Sequence, residues 1–316
     1  MTNIYNLVEY TAGDFVSEID YKKELKDKLI KYRQTLNLSK KITFGIEIEY
    51  ENALLDKISY ALEEEKMFDR NICGWHNKTE LDITEYNDCG EEVNGEITSP
   101  RLIDEKRTWI SLERVLDLIK YNGGIITEKC GGHVNIGAHI LGENIEYWKN
   151  FFLLWKLYHK EIYLFSTGEF TNIRSNVKNC SKPINRGISV DDILRIKSFE
   201  DFNFRVFDKC HDIYIPIRVL EKVQDGNRIE FRIPNGTLNP IIWQNYINFF
   251  SKFVIACTKD LDSDKIVYDI NHKNSNPIDL ANYVFKSEID KEMFLIQTLK
   301  TNKVYKRQLP SHLSYE

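Results

Sequence analysis

The sequence predicts a domain of mixed α and β structure, and two observations support this prediction. Short segments alternate apolar and polar residues, as half-buried strands do, while longer segments repeat apolar residues at helical spacing. No internal repeat, low-complexity tract or linker rich in Pro or Gly divides the 316 residues. We therefore expect one domain over 1–316, with its motifs at about 43–260 and a helical tail at 261–316.

The composition is typical of a globular protein, since 42% of the residues are hydrophobic and 12% are aromatic. The net charge of -5 argues against a broad nucleic-acid surface, which is usually basic. Six cysteines are scattered without CxxC spacing, which predicts reduced thiols and argues against a structural zinc site. Because no membrane span and no signal-like N-terminus is visible, we expect a cytoplasmic protein. The oligomeric state stays open.

Six segments have the apolar spacing of helices. They cover residues 21–36, 53–67, 104–124, 144–165, 239–257 and 287–300. Asn144 and Asn239 are predicted N-caps, and Ser287 with Asp290 has the form of a capping box. The segment 166–190 is rich in Ser, Asn, Lys and Gly, and it predicts a long loop.

The segment ITFGIEIEY (42–50) predicts the first strand. Side chains alternate across a strand, so its apolar residues share one face and require a core. Its opposite face carries Glu47 and Glu49, and Glu51 continues that row. The acidic row has two explanations: it faces water, or its carboxylates converge on a cationic group.

Two further segments, GGHVNIG (131–137) and RIEFRIP (228–234), repeat this alternation. Their polar faces carry His133 and Asn135 in the first segment and Arg228, Glu230 and Arg232 in the second. Each pattern also has an ordinary explanation, because a buried histidine is commonly structural and charges often pair across strands. The argument for a site therefore depends on the combination.

Two shorter segments complete the set. GEITSP (95–100) supplies Glu96 ahead of a proline that would end its strand, and the alternating segment 79–84 supplies Asp82. If these strands are neighbours, one face of the sheet holds Glu47, Glu49, Asp82, Glu96, His133, Glu230 and Arg232.

Carboxylates clustered in this way would repel one another unless cations neutralise them. Oxygen ligands with one imidazole suit Mg²⁺ or Mn²⁺, and a rigid sheet can hold more than one ion about 4 Å apart. Arg232 would then balance the acidic charge or bind the phosphate that such ions accompany. The sequence therefore predicts a site for at least two divalent ions.

Four motifs in this order, FGIEIEY, GEITSP, CGGHVNIG and RIEFRIPNGTL, resemble the amidoligase family of the glutamine synthetase-like carboxylate-amine ligases. The resemblance covers about 43–238, with Asp82 between the first two motifs. It implies a curved, mainly antiparallel sheet that forms a funnel, with helices packed on its outer face. The N-terminal forty residues and the tail after about 260 have no part in it.

The resemblance also implies ligand sets. One metal would be held by Glu49, Asp82 and Glu96, and the other by Glu47, His133 and Glu230. Arg232 matches the arginine that contacts phosphate, and with Glu230 it is a predicted catalytic residue. Asn135 stands where many relatives have a second histidine, and it can still hydrogen-bond a phosphate. Candidates for further phosphate contacts are Arg174, Arg186, Arg205 and Arg218, with Arg186 preferred. Each of these arginines has a surface or structural role as its alternative.

The implied activity is ATP-dependent formation of an amide or isopeptide bond through an acyl phosphate, with ATP and Mg²⁺ as cofactors. The substrates would be a small-molecule or peptide carboxylate and an amine. Three alternatives stay open: a phosphotransferase of guanidino-kinase type on the same fold, a non-catalytic nucleotide- or metal-binding module, and a metal-dependent hydrolase.

Overall fold

The structure, a computed structural model, describes residues 25, 30–170, 188–202, 205–206, 217–220, 227–272 and 274–299. Within these residues the chain forms a seven-stranded sheet and nine α-helices. Every strand pair in the sheet is antiparallel. The predicted α+β class and the mainly antiparallel sheet are therefore confirmed.

The strands are β1 (Phe44–Leu54), β2 (His76–Lys78), β3 (Glu85–Tyr86), β4 (Glu92–Thr98), β5 (Gly132–Gly137), β6 (Ile217–Leu220) and β7 (Arg228–Phe231). The helices are α1 (Leu55–Phe68), α2 (Lys106–Tyr121), α3 (Ile145–Ser166), α4 (Val190–Leu194), α5 (Phe199–Phe202), α6 (Pro240–Ala256), α7 (Ser263–His272), α8 (Pro277–Val284) and α9 (Glu288–Leu299).

The strand order β2-β4-β1-β5-β7-β6 brings together segments that lie far apart in the sequence, and β3 pairs with β4 beside this path. The strands β1, β4, β5 and β7 are the four that carry the sequence motifs, and they are consecutive neighbours in the sheet. The predicted adjacency of these motifs is therefore confirmed.

One face of the sheet is apolar and is covered by helices. On β7, the Phe231 ring stacks on Phe250 of α6 with a centroid distance of 4.2 Å, and on Trp155 of α3 at 5.7 Å. On β1, the Phe44 ring stacks on Trp109 of α2 at 5.6 Å. Offset aromatic contacts of this kind fix the helices against the strands in addition to the area they bury. The opposite face of the same strands is left for the polar residues.

Five of the six predicted helices are present with ends that differ by at most three residues from the prediction. Asn144 caps α3 by accepting the backbone N–H of Glu146, and Asn239 caps α6 by accepting that of Ile241. The predicted capping box before α9 is not formed, because the Asp290 carboxylate accepts hydrogen bonds from other parts of the chain.

The predicted helix at 21–36 is wrong at its C-terminal end. Leu25 is helical, but residues 30–36 contain no helix, and the rest of the predicted helix lies outside the described residues. The Leu36 backbone N–H instead donates to both oxygens of Asp104 at 2.9 Å. A tertiary hydrogen bond of this kind outweighs the weak intrinsic helix preference of a short segment.

The predicted loop at 166–190 is described only at its two ends. Helix α3 ends at Ser166, a turn follows to residue 170, and the chain is described again from residue 188, two residues before α4. Residues 171–187 lie outside the described ranges. In the described part of the chain, none of the helices has the length and apolarity that a membrane span requires.

Candidate metal centre

The register of the strands sets the polar side chains opposite one another. Glu49 of β1 pairs with Glu96 of β4, and Glu47 of β1 pairs with His133 of β5. Glu230 of β7 lies one strand further, opposite the residue two positions after His133. Directly opposed residues share a face of the sheet, so these five side chains converge on one region.

This polar face is largely buried. Exposure is 5% for Glu49, 1% for Glu96, and 2% for both His133 and Glu230. The acidic row of β1 therefore does not face water, and the convergent explanation of the row is the one that the structure supports. Buried carboxylates require partners because the charged form is costly to remove from water.

His133 lies at the centre of the carboxylates. Its Nδ1 is 3.1 Å from Glu47 Oε2 and 3.7 Å from Glu230 Oε1. Its Nε2 is 3.3 Å from Glu49 Oε1. Glu47 and Glu230 therefore point to the same side of the sheet. One imidazole, on β5, lies within reach of three carboxylates, two from β1 and one from β7.

Two groups of ligand atoms result, and His133 belongs to both. Ligand atoms of Glu47, His133 and Glu230 lie within 4.8 Å of one another, as do those of Glu49, Glu96 and His133. The first group is the set that the family resemblance implies. The resemblance implies Glu49, Asp82 and Glu96 for the other metal. The second group contains Glu49 and Glu96 of that set, with His133 in the place of Asp82.

These donors fit a hard divalent cation. Carboxylate oxygens and one imidazole are ligands that Mg²⁺ and Mn²⁺ accept. In addition, Asn135 Oδ1 is buried without a hydrogen-bond partner among the described residues, and the buried His133 Nε2 makes no hydrogen bond there although Glu49 Oε1 lies 3.3 Å away. Buried polar atoms are normally satisfied, so two such atoms beside a carboxylate cluster are expected where an ion or a ligand binds.

The acidic residues differ in their proton affinity. Burial acts to raise the pKa of Glu47, but the hydrogen bond and charge of His133 and the hydrogen bond from Asn135 lower it to about 2. Burial is also the largest effect on Glu96, and with the negative charge of Glu47 it raises the pKa of Glu96 to about 8. At neutral pH Glu47 therefore favours its anionic form, while Glu96 favours its protonated form.

Arg232 lies just after β7 and is a cation that faces this cluster. Its Nη1 donates a hydrogen bond to Glu230 Oε1, and its side chain is 14% exposed. Burial acts to lower the pKa of Arg232, but the negative charge of Glu230 raises it above the usual value. Arg232 is therefore charged and held beside the ligand group of Glu230.

Asp82 does not lie where the sequence placed it. Residues 81–83 form a turn, not a strand, and Asp82 is exposed. The segment 79–84 alternates over too few residues to specify a strand, and the Thr84 backbone N–H and hydroxyl both bond to the Glu80 carbonyl. Asp82 is absent from the two ligand groups found among the described residues.

The predicted phosphate-binding residues have mixed outcomes. Asn135 lies opposite Glu230, and its Nδ2 donates to Glu47 Oε1 at 2.9 Å. Arg205 lies 4.0 Å from Asp201, one helical turn away in sequence. Arg218 is opposite Glu230 in the backbone register of β6 and β7. Arg174 and Arg186 lie outside the described residues.

The sequence argument missed the role of Lys78 on β2. Its register partner is Glu96, and its Nζ lies 2.9 Å from Glu96 Oε1. Lys78 comes from a three-residue strand with no alternation of its own, so no pattern in the sequence pointed to it. Its ammonium group supplies positive charge at the edge of the cluster.

Comparisons with known proteins add no family assignment. No protein-family model matches the chain, and no curated protein shows significant similarity to it. The resemblance to amidoligases therefore depends on the four sequence motifs.

Proposed function

We propose that this protein is an ATP-dependent carboxylate-amine ligase, which forms an amide or isopeptide bond through an acyl phosphate at a site with two or more Mg²⁺ or Mn²⁺ ions. The observation that carries this proposal is the pair of ligand groups that share His133 on a buried sheet face, with Arg232 beside Glu230. The four motifs that resemble amidoligases give the same answer from the sequence.

Glu47, His133 and Glu230 would hold one ion, and Glu49 and Glu96 would supply carboxylate ligands to the other. When bound, Mg²⁺ would neutralise the negative charge that develops on phosphate oxygens during phosphoryl transfer. Rigid strands hold the ligands in place before substrate arrives, which favours catalysis because little reorganisation is needed during the reaction.

Arg232 would contact the transferred phosphate. A guanidinium binds two phosphate oxygens in a planar fork, and the hydrogen bond to Glu230 orients its Nη1 beside the first ligand group. In the reaction, a substrate carboxylate oxygen bonds to the γ-phosphorus of ATP and ADP leaves. An amine nitrogen then bonds to the acyl carbon, inorganic phosphate leaves, and the amine gives up a proton.

The proposal includes the funnel shape that the resemblance implies. The helix-covered apolar face would form the outside of the funnel, and the polar face would line its interior. Packing of α2, α3 and α6 on the apolar face is consistent with this arrangement.

Hydroxylamine trapping tests the reaction. Hydroxylamine is a small nucleophile that should replace the natural amine, so purified protein with ATP, Mg²⁺ and panels of carboxylates should yield a hydroxamate and ADP. Glu230→Gln should abolish the product because it removes a metal-binding charge, a loss on the order of several kcal/mol of transition-state stabilisation. Glu143→Gln, at an exposed position, is the matched control and should retain activity.

The products separate the alternatives. A guanidino kinase gives a phosphorylated guanidine and no hydroxamate, and a binding module gives no turnover. A carboxylate that supports ADP release but never yields a hydroxamate, even at high hydroxylamine, would contradict the ligase assignment.

A further inference from the structure

A cavity of about 490 Å³ opens beside the metal centre. It lies along the polar face where β1 begins and where β4 and β5 end, and Glu47 forms part of its wall. Because Glu47 also belongs to the first ligand group, a molecule in this cavity would be adjacent to the ion held there. The volume lies within the range of small-molecule sites.

The charged residues of the cavity wall are mostly cationic. Lys78, Arg101 and Arg228 line it, and Glu47 is the carboxylate among its lining residues. Glu47 is already engaged, since it accepts a hydrogen bond from Asn135 and faces His133 Nδ1. Three cationic side chains and one carboxylate therefore line the cavity, although Lys78 is also paired with Glu96 and the whole chain has a net charge of -5.

Arg228 carries a hydrogen-bond donor in this wall, its Nε, that is buried and unsatisfied among the described residues. It is the first residue of β7, two positions before Glu230, so its side chain shares the face of the metal ligands. A buried guanidinium nitrogen without a partner is unusual because the desolvation of a charged donor is costly.

Asn135 adds a second unsatisfied atom to the same cavity. Its Nδ2 is used by Glu47, while its Oδ1 is buried without a partner among the described residues. An oxyanion at Arg228 that carries a hydroxyl or amino group on the same molecule could satisfy both residues. The two side chains lie on adjacent strands, since Gly137, two residues after Asn135, is opposite Arg228.

We propose that this cavity is an oxyanion subsite, in which Arg228, with Lys78 and Arg101, binds a carboxylate or phosphate group beside the metal centre. The subsite requires only the cavity and its charges, whereas its use for a group of the ligase substrates rests on the proposed function. The guanidinium fork of Arg228 suits either oxyanion, because both present two coplanar oxygens.

Titration calorimetry with two probes tests the subsite. Sodium phosphate and glutarate are titrated into the full-length protein with and without MgCl₂. At least one should bind with a Kd in the low millimolar range, and Arg228→Gln should weaken it about tenfold or more, since a charge-assisted bidentate contact is lost. Arg228→Lys should recover part of the affinity. Arg195→Gln, which removes a 70% exposed guanidinium elsewhere, should change it less than about twofold.

Two further measurements keep the test independent of folding and of catalysis. Arg101→Gln alters an exposed cavity residue and should weaken the same anion while melting at the wild-type temperature. Mn²⁺ affinity, measured by electron paramagnetic resonance, should stay within about threefold in Arg228→Gln, because a cation that is not a ligand has been removed. Anion binding without any hydroxamate product would leave the subsite in place and remove the ligase proposal.

Competition with ADP identifies the source of the oxyanion. Phosphate binding that ADP displaces would assign the subsite to the nucleotide, and glutarate binding that persists beside ADP would assign it to the carboxylate substrate. Absence of binding for both probes up to about 50 mM, which is well above the expected low millimolar Kd, overturns the proposal. Equal affinity of wild type and a folded Arg228→Gln variant overturns it as well.

Discussion

Glu49 and Glu96 lie directly opposite each other on the neighbouring strands β1 and β4, and both are buried. Like charges in such a pair destabilise a sheet, unless a proton or a cation lies between them. Burial and the negative charge of Glu47 raise the pKa of Glu96 to about 8. Lys78 supplies one positive charge beside Glu96, and we expect a bound divalent cation to stabilise this region further.

Divalent metal should stabilise the fold. A ligand that binds only the native state at 100 times its Kd adds about 2.7 kcal/mol to the free energy of unfolding. We expect Mn²⁺ or Mg²⁺ to raise the melting temperature of the wild type, measured by differential scanning fluorimetry. Glu230→Gln should lose most of this shift because it removes a charged ligand atom.

The control for the metal effect is Glu143→Gln, which changes an exposed carboxylate and should keep the full shift. An equal shift in wild type and Glu230→Gln would show that Glu230 is not a metal ligand.

Arg232→Lys should impair turnover far more than stability. Lysine keeps the positive charge beside Glu230 but loses the planar fork that grips two phosphate oxygens. ADP release should fall by about tenfold or more, while the melting temperature changes by only a few degrees. Equal losses in both measurements would identify Arg232 as chiefly the ion-pair partner of Glu230.

Cys130 should not act as a nucleophile. Its side chain is fully buried, and burial raises the pKa of its thiol to about 12, so the reactive thiolate is scarce at neutral pH. Cys130→Ser should therefore retain activity. In native protein treated with iodoacetamide, mass spectrometry should find the exposed Cys73 and Cys89 modified before Cys130. A covalent acyl adduct on Cys130 would contradict this prediction and the acyl-phosphate mechanism.

Gly132→Ala should destabilise the protein. A Cβ at this position would lie 2.8 Å from the Trp243 ring and 2.9 Å from the Asn235 backbone oxygen, and neither can move freely. Overpacking of this kind costs about 1–3 kcal/mol in the free energy of unfolding, which urea denaturation measures. Gly45→Ala is the control, because its nearest contact would be an ordinary 3.4 Å to Asn135. Similar losses in both variants would refute the steric explanation.

Asp290 should contribute stability that is lost in acid. Burial acts to raise its pKa, but the hydrogen bonds and charges of Lys252 and Arg33 lower it below the ordinary value of 3.8. A carboxyl with a lowered native pKa stabilises the fold above its unfolded pKa and loses this contribution as the pH falls through its native pKa. The stability difference between wild type and Asp290→Asn should therefore be constant above about pH 5 and shrink below pH 4.

Urea denaturation from pH 7 to pH 3 measures that difference, and subtraction of the two proteins cancels the titration of the other carboxylates. At neutral pH Asp290→Asn should lose about 1–3 kcal/mol, because Arg33 and Lys252 are left without their counter-ion. A difference that grows as the pH falls would contradict the assignment.

The residues of the candidate metal centre that lie on alternating segments could be predicted because strand alternation is a strong constraint. Alternate residues are apolar in the segments that carry Glu47, Glu49, His133 and Glu230. Because the apolar side chains must face the core, the polar side chains between them must lie on the opposite face of the sheet. The predicted position of Asp82 was wrong because its short segment has no row of buried apolar residues to fix its direction, and residues 81–83 form a turn.

The cationic side of the site could not be predicted in the same way. Arg228 was placed on the correct face by the alternation of β7, but its unsatisfied Nε depends on the shape of the cavity. Lys78 meets Glu96 through strand pairing between β2 and β4, and pairing partners are not encoded in local periodicity. The non-helical course of residues 30–36 likewise depends on a tertiary partner, Asp104.

The position of His133 between both ligand groups has a consequence for how two ions would be coordinated. A neutral imidazole has one lone pair and one N–H, so it can coordinate through Nδ1 or through Nε2 but not through both. If Nδ1 donates its proton to Glu47, the lone pair on Nε2 is directed toward Glu49, and the opposite tautomer reverses this choice. Under the proposed function, two ions at this centre would therefore not be equivalent: one would take the imidazole nitrogen, and the other would complete its coordination with water or substrate oxygens.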